Sequence, residues 1–151
     1  MDIYTDGATS NNQYKIKRRG GIGVFFGDDD PRNISYEIKE NPTNQRMELS
    51  ACIKALEEVQ DDDINIYTDS KYTINCVTIW FSNWKNNNWK TSSGKDVKNL
   101  DLIKKLHNLV NSKNVNFYHI RSHQKEPKDK NERKHWYGNK MADYLATNAI
   151  N

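Results

Sequence analysis

The hydrophobic period of this chain changes at Asn44, and that change limits the folds open to it. Before it, apolar residues fall in short β-favouring runs separated by turn residues: Asp2-Ile3-Tyr4-Thr5-Asp6-Gly7, Gly20 to Gly27, and Ile34-Ser35-Tyr36-Glu37-Ile38. The glycines of the second run permit close approach of another backbone or a ligand. The short Asp28 to Pro31 turn predicts an antiparallel meander. From Asn44 onward Met47, Ala51, Ala55 and Val59 recur at i+4 steps, predicting an amphipathic helix closed by Asp61-Asp62-Asp63. Ile64 to Thr68 reads as a fourth strand, Tyr72 to Val77 as a helix, Leu100 to Val110 as another, Val115 to Ile120 as a fifth strand, and Met141 to Ile150 as the last helix. The polar stretch from Ser122 to Lys134 reads as a loop. Hairpin-connected strands followed by strand–helix–strand crossovers require a mixed sheet flanked by helices, an α/β architecture.

The chain has 151 residues, a length suited to one domain with a true core. An aromatic fraction of 11% excludes a disordered chain even though hydrophobic residues make up only 35%. No apolar run approaches a membrane span, and the acidic N-terminus lacks the basic and apolar regions of a signal peptide, so a soluble, intracellular protein without membrane contact is expected. Cys52 and Cys76 show no metal-ligand spacing and read as small buried residues in a reducing compartment. The formal net charge is only +3, from 23 basic and 20 acidic side chains, which is weak for a nucleic-acid binder judged by totals.

Four carboxylates interrupt positions where the local pattern calls for apolar or small residues. Asp6 lies inside the first strand, Glu48 in the first turns of the first helix, Asp69 at the end of the fourth strand, and Asp143 at the opening of the last helix. Singly each has a plain explanation as a helix cap, a dipole partner or a solvated residue. Together they carry more. If the first and fourth strands are parallel neighbours, Asp6 and Asp69 project side by side and repel, so a cation must offset them. Hard divalent ions such as Mg²⁺ prefer oxygen ligands, and in pairs they stabilise in-line phosphoryl displacement.

Tyr4-Thr5-Asp6-Gly7-Ala8, Thr43-Asn44-Gln45-Arg46-Met47-Glu48, Tyr67-Thr68-Asp69-Ser70 and Gly138-Asn139-Lys140-Met141-Ala142-Asp143 resemble, in order and spacing, the four signature blocks of type 1 ribonuclease H. The resemblance covers essentially the whole chain. It implies a single catalytic domain over residues 1–151 with a ribonuclease H-like fold: a five-stranded mixed sheet of order 3-2-1-4-5, strand 2 antiparallel, flanked by helices. It further implies an endonuclease that cuts the RNA strand of an RNA–DNA hybrid by two-metal catalysis, leaving 5′-phosphate and 3′-hydroxyl ends. Asp6 would bridge two Mg²⁺ ions, Asp69 and Glu48 help hold one and Asp143 the other, with Mn²⁺ able to substitute. His123 matches the family's loop histidine, whose role is proton handling and product release.

For the hybrid itself, Asn12, Asn44 and Gln45 match positions that contact the minor groove and its 2′-hydroxyls, and Thr43 and Asn99 match positions holding a DNA-strand phosphate. The block Thr43 to Arg46 also reads as helix-capping polarity. Trp84, Lys85, Trp89 and Lys90 belong to a basic, aromatic stretch that resembles the family's protrusion, with Trp80 and Trp84 expected in a local core and Lys85 to Trp89 at an exposed tip. Three departures stand out: Asn41 where the family often has Arg, a longer loop after His123, and Lys140 where the family has an acidic residue. A monomer is expected. Two alternatives predict other outcomes: a hybrid-binding module without turnover, and a nuclease of the resolvase or integrase type.

Overall fold

The computed structural model describes residues 1–10 and 18–151; Asn12 lies outside them. Five strands, β1 (Asp2–Thr9), β2 (Gly20–Phe25), β3 (Ile34–Ile38), β4 (Asp63–Thr68) and β5 (Asn114–His119), form one sheet of order β3-β2-β1-β4-β5. β2 runs antiparallel to β1 and β3, while β1, β4 and β5 pair in parallel. Both the order and the lone reversed strand match the sequence expectation.

Strand alternation sorts the sheet into two faces. Ile3, Thr5, Ile64, Ile66 and Thr68 are fully or almost fully buried on one face, against α1 (Asn44–Glu58) and α4 (Leu100–Asn111), whose Leu49, Cys52, Leu56, Ile103 and Leu106 complete the main core. On the other face lies α5 (Lys130–Asn148), packed chiefly over β1 and β2. A Cβ at Gly23 would stand 2.2 Å from the Ala142 carbonyl oxygen and 2.6 Å from the Ala146 nitrogen, so the bare backbone is what lets α5 settle there.

The α5 face is arranged in rows. Asp2, Asn65 and Asn116 are cross-strand neighbours on β1, β4 and β5, and Tyr4, Tyr67 and Tyr118 form the next row. The first row is joined by Asn65 Nδ2 donating to Asp2 Oδ1 at 3.0 Å. In the second, the rings stand 5.1 and 5.0 Å apart, near parallel. Two residues further along β1 and just beyond β4 come Asp6 and Asp69.

Several local expectations are corrected. The last helix does not start at Met141: α5 begins at Lys130, where Asp129 caps it by accepting from the Glu132 nitrogen at 3.0 Å. The loop after His123 therefore ends before Lys130 instead of running to Lys134, and Asp143 sits well inside the helix instead of opening it. The second helix is longer than expected and is interrupted: α2 (Lys71–Asn75) runs through a π-helical turn (Cys76–Trp80) into α3 (Phe81–Lys85). That turn places Trp80 beside Tyr72 and Trp84, with all three rings against the core, as expected for the two tryptophans. Cys52 and Cys76 are unpaired and buried. Among the described residues no helix is long and apolar enough to cross a membrane.

Candidate active site

Asp6 and Glu48 reach each other through Gly7. Alternation turns Asp6 toward α5 and Gly7 toward α1, and a Cβ on Gly7 would lie 2.6 Å from the Glu48 nitrogen and from the Met47 carbonyl carbon. Without one, the first turns of α1 press against β1. The Gly7 N–H donates to Asp6 Oδ1 at 2.9 Å and to Glu48 Oε1 at 3.1 Å, fixing one oxygen of each carboxylate. The other Glu48 oxygen, Oε2, is buried without a hydrogen-bond partner. Asp69 follows β4 directly; the cap of α2 belongs to its neighbour Ser70, whose Oγ accepts from the Thr73 nitrogen at 3.1 Å. Capping therefore does not account for Asp69.

Oxygens of Asp6, Glu48 and Asp69 lie within 4.8 Å of one another. Asp143 stands outside that closest group, yet it lines the same open cavity of about 360 Å³ with Gly7, Asn44, Gln45 and His123. Burial first, then the Glu48, Asp69 and Asp143 carboxylates, holds the Asp6 carboxyl far above the usual range. Burial also raises Glu48, and burial with Asp143 raises Asp69, against an opposing pull from His123 and His119. Such crowding with an unpartnered acceptor at its centre fits a hard divalent cation, whose oxygen ligands are of this type. A buried neutral core would not be built this way.

His123 occupies a left-handed backbone position (φ 54°) in the exposed loop and lines both the carboxylate cavity and a neighbouring one of about 280 Å³ that also touches Asp69, Lys140 and Asp143. Asn44 opens α1 and accepts from the Thr9 hydroxyl at 2.6 Å. Thr43 does cap that helix, its Oγ1 accepting from the Arg46 nitrogen at 3.2 Å. Asn99, also left-handed (φ 61°), donates to the Tyr72 hydroxyl at 3.0 Å. Arg46, given no role by the sequence reading, ties these elements together through two bonds to Asp101, at 2.8 and 3.0 Å.

The protrusion is quieter than expected. Lys85 is exposed, but Lys90 is paired with Asp96. Trp89 is not at an exposed tip: it folds back edge-on to Phe81 at 5.2 Å, beneath the Lys104 ammonium at 4.3 Å. Left-handed Asn88 and Trp89 produce that reversal. Asn41 also stands at a left-handed position (φ 46°), which Asn accepts more readily than most residues.

The sequence model of the RNase H family matches residues 1–151. The chain belongs to the ribonuclease H family. It is 42% identical over 145 residues to Ribonuclease H of Schizosaccharomyces pombe, covering 95% of this chain and 50% of that protein. With Ribonuclease H1 of Homo sapiens the identity is 37% over 147 residues, covering 95% and 48%. The chain thus spans about half the length of these two relatives. It spans more of Ribonuclease H from Ruthia magnifica, at 39% identity over 152 residues, 98% of this chain and 93% of that one. Among solved structures, LC9-RNase H1, a type 1 RNase H with the type 2 active-site motif, superposes with a TM-score of 0.75 at 24% identity, over 98% of this chain and 70% of that one. The prototype foamy virus protease–reverse transcriptase gives 0.78 at 23%, over 98% and 20%. Both share the fold. Membership of a metal-dependent family agrees with a carboxylate cluster able to hold a metal ion.

Proposed function

We propose that residues 1–151 form one catalytic domain that hydrolyses the RNA strand of RNA–DNA hybrids. The observation that carries this reading is the convergence of Asp6, Glu48 and Asp69 around the buried, unpartnered Glu48 oxygen, with Asp143 on the same cavity. Asp6, at the centre, would hold both of two Mg²⁺ ions, Glu48 and Asp69 one, and Asp143 the other; Mn²⁺ offers a similar oxygen preference. When bound, such ions supply charge stabilisation to the attacking and leaving oxygens of an in-line displacement. Water's oxygen would bond to phosphorus as it gives up a proton to solvent or a neighbouring base, the bond to the 3′-oxygen would break, and that oxygen would take up a proton, giving 5′-phosphate and 3′-hydroxyl ends.

The remaining residues position the hybrid and handle protons. His123 lines the cavity from an exposed loop, which supports a part in proton transfer and product departure. Asn44 and Gln45 line the cavity with side chains that both donate and accept, as contact with RNA 2′-hydroxyls requires. Thr43 and Asn99 lie around Arg46 and would receive a DNA phosphate, while Trp84, Lys85, Trp89 and Lys90 border the backbone track. With Lys90 already paired and Trp89 folded back, Lys85 carries most of that contact. Two buried, unpaired cysteines support an intracellular setting.

The deciding assay compares hybrid, duplex DNA and duplex RNA with and without Mg²⁺. Only the RNA of the hybrid should be cut, only with metal, and Asp69→Asn should not cut it. Binding without turnover, or cutting of duplex DNA, would replace this reading with one of the two alternatives.

Lys140 affords a second test. Its ammonium lies over the Trp136 ring at 5.2 Å, in the cavity shared with Asp69 and Asp143, where a positive charge opposes cation binding. Lys140→Glu is expected to lower the Mg²⁺ concentration for half-maximal cleavage by roughly three- to tenfold. An unchanged titration curve would remove Lys140 from the metal's electrostatics.

A further inference from the structure

α5 leaves the β4–β5 end of its sheet face open, and an aromatic layer stands there half-built. His135 lies over the Tyr67 ring, 4.3 Å between centroids and 19° from parallel, held by a 2.8 Å bond between its Nδ1 and the Tyr4 hydroxyl. Tyr118, the next ring in the row, is 45% exposed. Beside His135 and against Tyr118 is a cavity of about 500 Å³, also lined by Tyr67, Arg121 and Trp136. Arg121 and Trp136 line the 280 Å³ cavity as well, and that one shares Asp69, His123 and Asp143 with the carboxylate site. Shared side chains thus link the three in series, a trough from the proposed metal-binding carboxylates to Tyr118.

We propose that this trough binds a single-stranded continuation of the strand being cut, with a base stacked on Tyr118 in the layer that His135 begins over Tyr67. The inference rests on the proposed hybrid cleavage. Charge supports it: Arg121, on the walls of both outer cavities, and Lys140, on the nearer one, place cationic side chains along the path away from the carboxylates. A polyanion suits that wall, and a row of flat rings suits bases of any sequence. Reach supports it too. Tyr118 pairs with Tyr67, two residues before Asp69, which at strand spacings puts it roughly 8 Å from the carboxylates along the sheet. A base within the first few nucleotides past the cleft arrives there. RNA enters because the trough starts at the groups that act on RNA.

The test measures dissociation constants by fluorescence anisotropy for a blunt hybrid and for the same hybrid with a short RNA overhang at one end or the other, or with matching DNA overhangs. Ca²⁺ replaces Mg²⁺ so that the carboxylates are neutralised in a geometry poorly suited to turnover. One RNA overhang should tighten binding about tenfold, within the range of a single base–aromatic stack. Tyr118→Leu should abolish that gain and Tyr118→Phe keep it, with blunt-hybrid affinity unchanged in both. Equal affinity for tailed and blunt hybrids, or a gain that survives Tyr118→Leu, overturns the proposal, and a gain confined to DNA overhangs overturns its assignment to the cut strand. Failure of the wild-type protein to cleave blunt hybrid in Mg²⁺ would instead sink the functional reading, by a measurement independent of the overhangs.

Discussion

Asp6→Asn is expected to abolish hybrid cleavage and, in the metal-free protein, to raise thermal stability. On the proposed mechanism, loss of the central carboxylate would remove the anchor for charge stabilisation of the transition state, at a cost of about a thousandfold or more in rate. Stability moves the other way because the cluster repels itself. Asp6 is almost fully buried, and burial and the Glu48, Asp69 and Asp143 carboxylates all raise its carboxyl. An amide keeps the shape without the ionisable group, and relief of about 1–4 kcal/mol spans the scale of like charges about 4 Å apart from bulk water to a protein environment.

The same repulsion sets a pH dependence. Glu48 is raised to about 7, and Asp6 and Asp69 are also raised, so in this range the folded chain binds more protons than the unfolded one. Their stabilising contribution is fully present below the unfolded carboxylate range near 4 and is lost as pH rises through the native values. Melting in chelator should therefore fall from pH 5 to pH 8, and Mg²⁺ should restore most of the difference. The carboxylates of Asp2, Asp30, Glu37 and Asp101 are lowered and act below that window. If Asp6→Asn melts lower than wild type in chelator at pH 8, the cluster is not the strained centre described above.

Gly23→Ala tests how α5 is set. The added Cβ would meet the Ala142 carbonyl oxygen at 2.2 Å and the Ala146 nitrogen at 2.6 Å, both main-chain atoms of a helix that cannot yield locally. The helix must lift, and Asp143, next to Ala142, lifts with it. Overpacking of this kind costs about 1–3 kcal/mol, and in a chain of this length that lowers the melting temperature by roughly 2–4 °C per kcal/mol. Cleavage should fall further than stability implies, about a hundredfold, since small displacements of positioned groups are that costly. Melting and single-turnover rates below melting separate the two effects; wild-type turnover in a folded Gly23→Ala protein would show that the seat of α5 does not position Asp143.

The elements whose positions were legible in the sequence are those whose apolar period is unbroken. Met47, Ala51 and Ala55 mark α1 because one stripe of it faces a continuous core, and Leu100, Ile103 and Leu106 mark α4 for the same reason. The first half of α5 carries no such stripe. Its inward contacts are made by His135, Trp136 and Gly138, the last open enough to admit the Tyr4 ring, so apolar periodicity finds nothing there. Its one local signal is the cap, Asp129 accepting from the Glu132 nitrogen, which the apolar pattern does not register. At the site, the carboxylates were conspicuous because each broke a pattern. Arg46 was not, since its partner Asp101 is distant in sequence and met only through the fold, and the turn-back of Trp89 onto Phe81 depends on left-handed backbone at Asn88 and Trp89 that no apolar period signals.

Strand alternation has a consequence for how this chain avoids misfolding. Asp6 and Asp69 share a face with the tyrosines, and their neighbours Thr5 and Thr68 are fully buried on the other. A slip of β1 or β4 by one residue would drive a carboxylate into the apolar interior and bring a buried threonine out. Correct strand pairing and an assembled carboxylate cluster therefore depend on one and the same register.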